Sequence, residues 1–304
     1  PFGVLEVDSR SDGEFNEQAL AWMLPNVRAP EQNLGDLKAQ IACLMTGERR
    51  VLEIIERFGV EAFKSGIVEM LDYSETQART VARTIPDGEY FFSEYADEDA
   101  AVDGKPMRIA LKLTIEDGLL EFDFSGSDPQ LASSLNVPTG GHPRHALLMV
   151  GLYYVLYTLE PNILLNAGML RIATCITPRG SVLNPVMPAA VGMRSPTCVI
   201  IQAVTFGAFA QALPGKMPAC PSSSVCLLNV KTTDAKGKTI MASVGPVGGG
   251  AGGSASGDGS DASGANMAFL RNTPVEINEA EVPVRITEYG LVRDSGGAGQ
   301  YRGG

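Results

Sequence analysis

At 304 residues the chain is long enough to bury a substantial core, in one large domain or two. With 19% charged and 44% apolar residues, it is neither disordered nor fibrous. A net charge of −11 with no basic stripe serves solubility and excludes a phosphate-backbone binder, so no nucleic-acid partner is expected.

Residues 15–30 read as irregular, with Pro25 and Pro30 interrupting any longer element. Asp36 is placed as the N-cap of a helix reaching about residue 46. A second helix is expected over 48–58, where Leu52, Ile55 and Phe58 recur at helical spacing and Gly59 is the stop. A longer helix follows, with Phe63, Ile67, Met70, Leu71, Ser74, Ala78 and Val81 on one face. These helices are expected to form a hairpin devoted to packing.

The period then changes. Met107, Ile109, Leu111, Leu113 and Ile115 alternate with Arg108, Ala110, Lys112 and Thr114. Leu120, Phe122 and Phe124 alternate on the far side of Asp117-Gly118, which predicts a β-hairpin with one buried face. The acidic stretch 87–103 before it reads as a solvated edge. Further on, helices are expected over 145–159 and 199–213, and strands over 171–176, 225–230, 238–244 and 283–291. The turn between the strands 225–230 and 238–244 centres on Asp234-Ala235-Lys236-Gly237. Helices and strands mix without βαβ alternation, so the class is α+β with antiparallel strands. The expected division is a helical region 1–85 and a mixed region 86–304.

The run 145–159 is too short to span a bilayer and reads as a buried helix, so no membrane partner is expected. Cys43, Cys175, Cys198, Cys220 and Cys226 include no C-x-x-C pair. Reduced, mostly buried thiols in a cytoplasmic protein are expected, and no zinc site.

Three polar, Gly/Pro-rich segments are candidates for chemistry. The first runs from Asp123 through Asn136 to Gly141 between a strand and a helix; Asn136 offers both donor and acceptor. It reads equally as a connector whose Ser and Asp cap turns. The second holds Arg194-Ser195-Pro196-Thr197 before a helix, where free N–H groups attract an anion and Arg194 adds positive charge. The plain alternative is a capping hydroxyl beside a surface arginine. The third is the glycine run over 245–259, with Gly249, Gly250 and a central Asp258. Consecutive glycines form anion-binding nests, or a flexible linker. With no lysine it is not a P-loop. His142 and His145 are the only histidines; capping or packing at a helix start is expected of them, since a metal needs a third donor. No catalytic residue is assigned.

Several collinear segments resemble one family. They are Asn26-Val27-Arg28-Ala29-Pro30 with Gly35-Asp36-Leu37-Lys38-Ala39-Gln40; Asp123-Phe124-Ser125-Gly126-Ser127 with Asn136-Val137-Pro138; Asn166-Ala167-Gly168; and Pro178-Arg179-Gly180-Ser181 with Asn184-Pro185. Glu281-Val282-Pro283-Val284-Arg285 and the stretch from Asp294 to Gly304 complete the set. The pattern is similar to the hydantoinase B/oxoprolinase family, which also contains the large subunits of acetone- and acetophenone-type carboxylases.

The resemblance implies a two-component, ATP-dependent enzyme that opens a hydantoin, oxoproline or lactam ring. The alternatives are a carboxylase component acting on a ketone, and a non-catalytic scaffold. It further implies a hydantoinase A-like partner subunit or domain carrying ATP and Mg. A divalent metal would be held by His and Asp motifs upstream of the matched segment. The chain then corresponds to the middle and late part of a B-type protein, inert by itself.

Overall fold

A computed structural model describes residues 10–11, 14–27, 30–97, 104–222, 225–233, 237, 239–263 and 272–304. The expected turn at 234–236 and the acidic residues 98–103 lie outside this set. The chain divides into two compact units, one ending at Met70 and one running Leu71–Gly304.

In the first unit, β1 (Arg10–Ser11) and β2 (Glu14–Phe15) pair antiparallel. Asn16 caps α1 (Glu17–Met23), its side chain accepting from the Ala19 N–H at 3.1 Å. The next helix, α2, runs unbroken over Pro30–Phe58. Proline suits the first helical position because its missing N–H would find no partner there anyway. Asp36 is therefore inside the helix rather than its cap. Gly47 does not divide it, because a single glycine costs about 1 kcal/mol of propensity and the flanking helix formers outweigh that. Gly59, at φ +84°, does end it, its N–H bonding the Ile55 carbonyl at 2.7 Å.

The following helix, α3 (Val60–Ala82), starts at the next residue. One residue cannot reverse the chain; antiparallel helices need a connection of about two to five. Thus α2 and the first half of α3 do not pack side by side, and the expected hairpin does not form. Leu44, Leu52, Phe58 and Val68 stay exposed.

The second unit begins where α3 meets the core through Ser74, Ala78 and Ala82. Its sheet has the order β3 (Gly88–Ala96), β4 (Met107–Glu116), β5 (Leu119–Asp123), β6 (Ala173–Ile176). The first two pairings are antiparallel and β5–β6 is parallel. The expected solvated edge is the edge strand β3 as far as Ala96. Asp117 and Gly118, at φ 48° and 73°, form the tight turn with two left-handed residues that an Asp-Gly pair favours. Arg83, just past the end of α3, and Arg79 within it both bond the Asp117 carboxylate, at 2.8 Å, and hold its pKa below the usual carboxylate range.

The alternating residues 107 to 115 are buried, as are Leu120, Phe122 and Phe124. Two helices cover that face: α4 (Ala146–Leu159) and α5 (Arg194–Ala212). Phe122 meets Phe209 of α5 with ring centroids 6.3 Å apart. Gly207 of α5 lets the Phe92 ring pass where a Cβ would collide with it. Gly151 does the same for Thr205 between α4 and α5. Here α5 starts five residues earlier than its expected boundary at 199, because Pro196 lies in its first turn, where proline is tolerated.

Beyond α5, β7 (Val225–Thr233) and β8 (Thr239–Gly248) form a separate hairpin. A short helix, α6 (Val275–Glu281), follows. Residues 283–291 alternate in sequence but find no strand partner, so the expected last strand is irregular chain. No helix among the described residues is long and apolar enough to cross a membrane.

Substituting Gly207→Ala should destabilise the protein by about 1–3 kcal/mol through overpacking. Gly47→Ala, with nothing within 4 Å of the added methyl, should stabilise α2 by about 1 kcal/mol. Urea unfolding followed by circular dichroism measures both, and equal responses would contradict this packing.

Candidate functional site

The loop after β5 is pinned to the sheet by its own polar side chains. Asp123 accepts from the Ser125 N–H at 2.8 Å, and Asp128 from the Arg108 N–H at 2.8 Å. The Ser127 hydroxyl bonds both the N–H and the carbonyl of Ala110. This loop buries Ala110 on the sheet face turned away from α5. Gln130 then clasps Val186, donating to its carbonyl at 3.2 Å and accepting from its N–H at 2.6 Å.

Asn136 is fully buried. Its Oδ1 accepts from the Leu131 N–H at 2.8 Å. Its Nδ2 donates to the carbonyls of Leu131, Ser133 and Ala190 at 2.9, 3.0 and 2.9 Å. The amide expected to face substrate is occupied by loop backbone. What it does is join two segments distant in sequence. The join continues through the Met193 N–H to Ser134 carbonyl bond at 2.9 Å and the Thr197 hydroxyl to Leu135 carbonyl bond at 2.6 Å.

That seam delivers Arg194 and Ser195 as the first two residues of α5, both exposed. The helix start has no side-chain cap, which leaves the N–H groups of Arg194 and Ser195 uncapped, since that of Met193 bonds Ser134 and Pro196 has none. Among the described residues, the Arg194 guanidinium has neither a hydrogen bond nor an ion pair, and the Ser195 hydroxyl has no hydrogen bond. The positive end of a 19-residue helix and an unpaired guanidinium coincide there, the arrangement that attracts an anion. The field of Arg194 also reaches Cys198 one turn on, although burial outweighs it and pushes that thiol up to about 11.

The glycine-rich segment is not a flexible linker. Gly250 packs so tightly on Gly304 that no Cβ would fit, and Gly252 does so on Ala219. Gly249 follows β8 and is half-buried. Asp258 accepts from the Arg302 N–H at 2.9 Å, and Arg302 makes a two-pronged pair with Asp261 at 2.8 and 3.1 Å. Thus Asn136, Arg194 and Ser195 belong to one cluster, and Gly249, Gly250 and Asp258 to another built with residues 219–222 and 296–304. No hydrogen bond joins the Asn136 loop to the glycine segment among the described residues.

Sequence reasoning missed Arg302 and Asp261. The available signal was charge: Arg302 is the only Lys or Arg after Arg293, in a tail with no other cation to meet nearby aspartates. It also overestimated thiol burial, since Cys43, Cys220 and Cys226 are exposed. Of the two buried thiols, Cys175 is pushed furthest, to about 12, by desolvation.

Both histidines serve as caps. The His142 Nδ1 accepts from the Arg144 N–H at 3.1 Å, and the His145 Nδ1 from the Leu147 N–H at 3.3 Å, at the start of α4. Each bond requires an unprotonated Nδ1. Burial, and then the charge of His142, lower the pKa of His145. Among the described residues no three His, Cys, Asp or Glu side chains converge to hold a metal ion.

A family model described as hydantoinase B/oxoprolinase matches residues 6–304. An uncharacterized protein of Methanocaldococcus jannaschii is 34% identical over 299 residues, covering 96% of this chain and 49% of its own length. A putative D-/L-hydantoinase component of a Pseudomonas strain is 30% identical, covering 92% of this chain and 48% of its own. The crystal structure of ATP-dependent caprolactamase from Pseudomonas jessenii superposes on all of this chain and 52% of its own, with a TM-score of 0.86 at 25% identity. The chain thus spans about half the length of each of these three.

The His145 cap carries a pH dependence. Because its folded pKa lies below the ordinary value of 6.5, the unfolded chain takes up the proton first as pH falls. The contribution is fully present above about pH 6.5 and is lost as pH falls through the depressed folded value. His145→Asn keeps an N-cap without a titrating group. Thermal melts at pH 7.5 and 5.5 should show a smaller acid loss for the variant; an identical loss would remove His145 from the account.

Proposed function

The chain belongs to the hydantoinase B/oxoprolinase family, and from that premise we propose that it acts as the B-type component of an ATP-dependent enzyme that opens a cyclic amide. The observation that carries this reading is the match of nearly the whole chain to the family model, together with the caprolactamase superposition. The partner is an A-type subunit or domain that holds ATP and Mg. Supply of ATP puts the pair in the cytoplasm.

The chemistry supports a division of labour. A ring amide is a poor electrophile, whereas its O-phosphorylated imidate is a far better one. Activation needs the ATP-binding partner, and ring opening needs a surface that receives an anionic, activated ring. Arg194, Ser195 and the free N–H groups at the start of α5 are that surface in our reading, with Asn136 acting through them as a positioning residue. Gly249, half-buried after β8, offers close backbone approach beside Gly250, whose own backbone is packed on Gly304, and Asp258 holds the segment that carries them. The divalent metal finds no ligand set among the described residues, so no step is assigned through it.

The test is reconstitution. The chain, an A-type partner and ATP are supplied with hydantoin, 5-oxoproline or caprolactam, and ring-opened product and ADP are measured. Ring opening is expected only with both components. Equal turnover without this chain would reduce it to a scaffold. Bicarbonate-dependent ATP turnover on a ketone, without ring opening, would mark a carboxylase.

A charge-assisted contact to an anion contributes about 1.5–3 kcal/mol. Arg194→Ala in the active pair should therefore lower turnover about 10- to 150-fold. Folding should be unaffected, because Arg194 is exposed and unpaired among the described residues. An unchanged rate would refute the anion role.

A further inference from the structure

The glycine segment and the last residues of the chain are held together at one point of unusual density. The Arg302 guanidinium grips both oxygens of Asp261, while the backbone N–H of Arg302 donates to Asp258 and its backbone carbonyl accepts from the Gly259 N–H at 2.8 Å. Its Nη1 also donates to the Gly303 carbonyl at 3.0 Å. Around it, the Ala251 N–H bonds the Ser260 carbonyl and the Gly304 N–H bonds the Ala251 carbonyl, at 3.0 and 2.8 Å. Gly253, Gly259, Gly296 and Gly304 are each pressed against backbone where a Cβ would collide.

Such a segment has little side-chain packing of its own. Glycine loses more backbone entropy on ordering than any other residue. Something must hold it in one conformation, and the two-pronged arginine is the anchor that reaches both strands of the knot. We infer that Arg302 is a positioning residue: it fixes the backbone of residues 249–261 in the form that receives the ring substrate. The substrate half of this statement rests on the proposed function.

Lysine keeps the charge but cannot reproduce the two-pronged geometry. Arg302→Lys is therefore the informative variant. Amide hydrogen exchange on the intact chain should rise at least about tenfold at Ala251, Gly259 and Gly304, with β4 and α4 unchanged. In the reconstituted pair, KM for the cyclic amide should rise about tenfold while kcat changes less than about twofold, the pattern of lost ground-state binding.

Unchanged exchange would overturn the anchor. Raised exchange with unmoved KM would leave a purely structural arginine and overturn the positioning role. A wild-type pair inactive on every cyclic amide would overturn the proposed function, and the substrate half of the inference with it; the exchange result would still decide the anchor.

Discussion

Everything around the start of α5 depends on one buried side-chain amide. Asn136 bonds the loop that leaves the sheet and the segment that enters the helix, and no solvent reaches it. A buried hydrogen bond contributes only about 0.5–1.5 kcal/mol net, but leaving a buried partner unpaired costs about 1–3 kcal/mol. With one N–H and three carbonyls relying on it, this seam tolerates no substitute that lacks both donor and acceptor. The positions of Arg194 and Ser195 follow from it, because Met193 and Thr197 are tied to the residues just before Asn136.

Local rules made part of this fold readable. Strict alternation from Met107 to Ile115 and the Asp117-Gly118 turn specify a hairpin whatever surrounds it. Gly59 reads as a stop because a left-handed residue ends a helix locally. Elsewhere the deciding contacts are distant. Residues 283–291 alternate like a strand, yet a strand exists only where another edge accepts it. The sequence suggests two helices where α2 is one, because the energy of a single glycine at 47 is too small to break so long a run. Residue type showed what Asn136 could bond, and only the fold shows that those bonds are already made.

Glycine composition was the least legible signal. A run such as residues 248–259 has the same appearance whether it is a loose tether or a close-packed knot. The difference lies in partners contributed from residues 219–222 and 296–304, and in the aspartates at 258 and 261 that meet one arginine. Two unlike surfaces result. At α5 an electropositive helix end is presented by a rigid seam; after β8, bare backbone is held by an ion pair.

The most direct test of this account is the stability of Asn136→Ala, measured by urea unfolding. If Asn136 is the clamp, the variant should lose about 3 kcal/mol or more, because several buried backbone groups lose their partner together. Wild-type stability in the variant, accompanied by a loss of ring-opening activity in the reconstituted pair, would contradict the clamp and return Asn136 to the substrate.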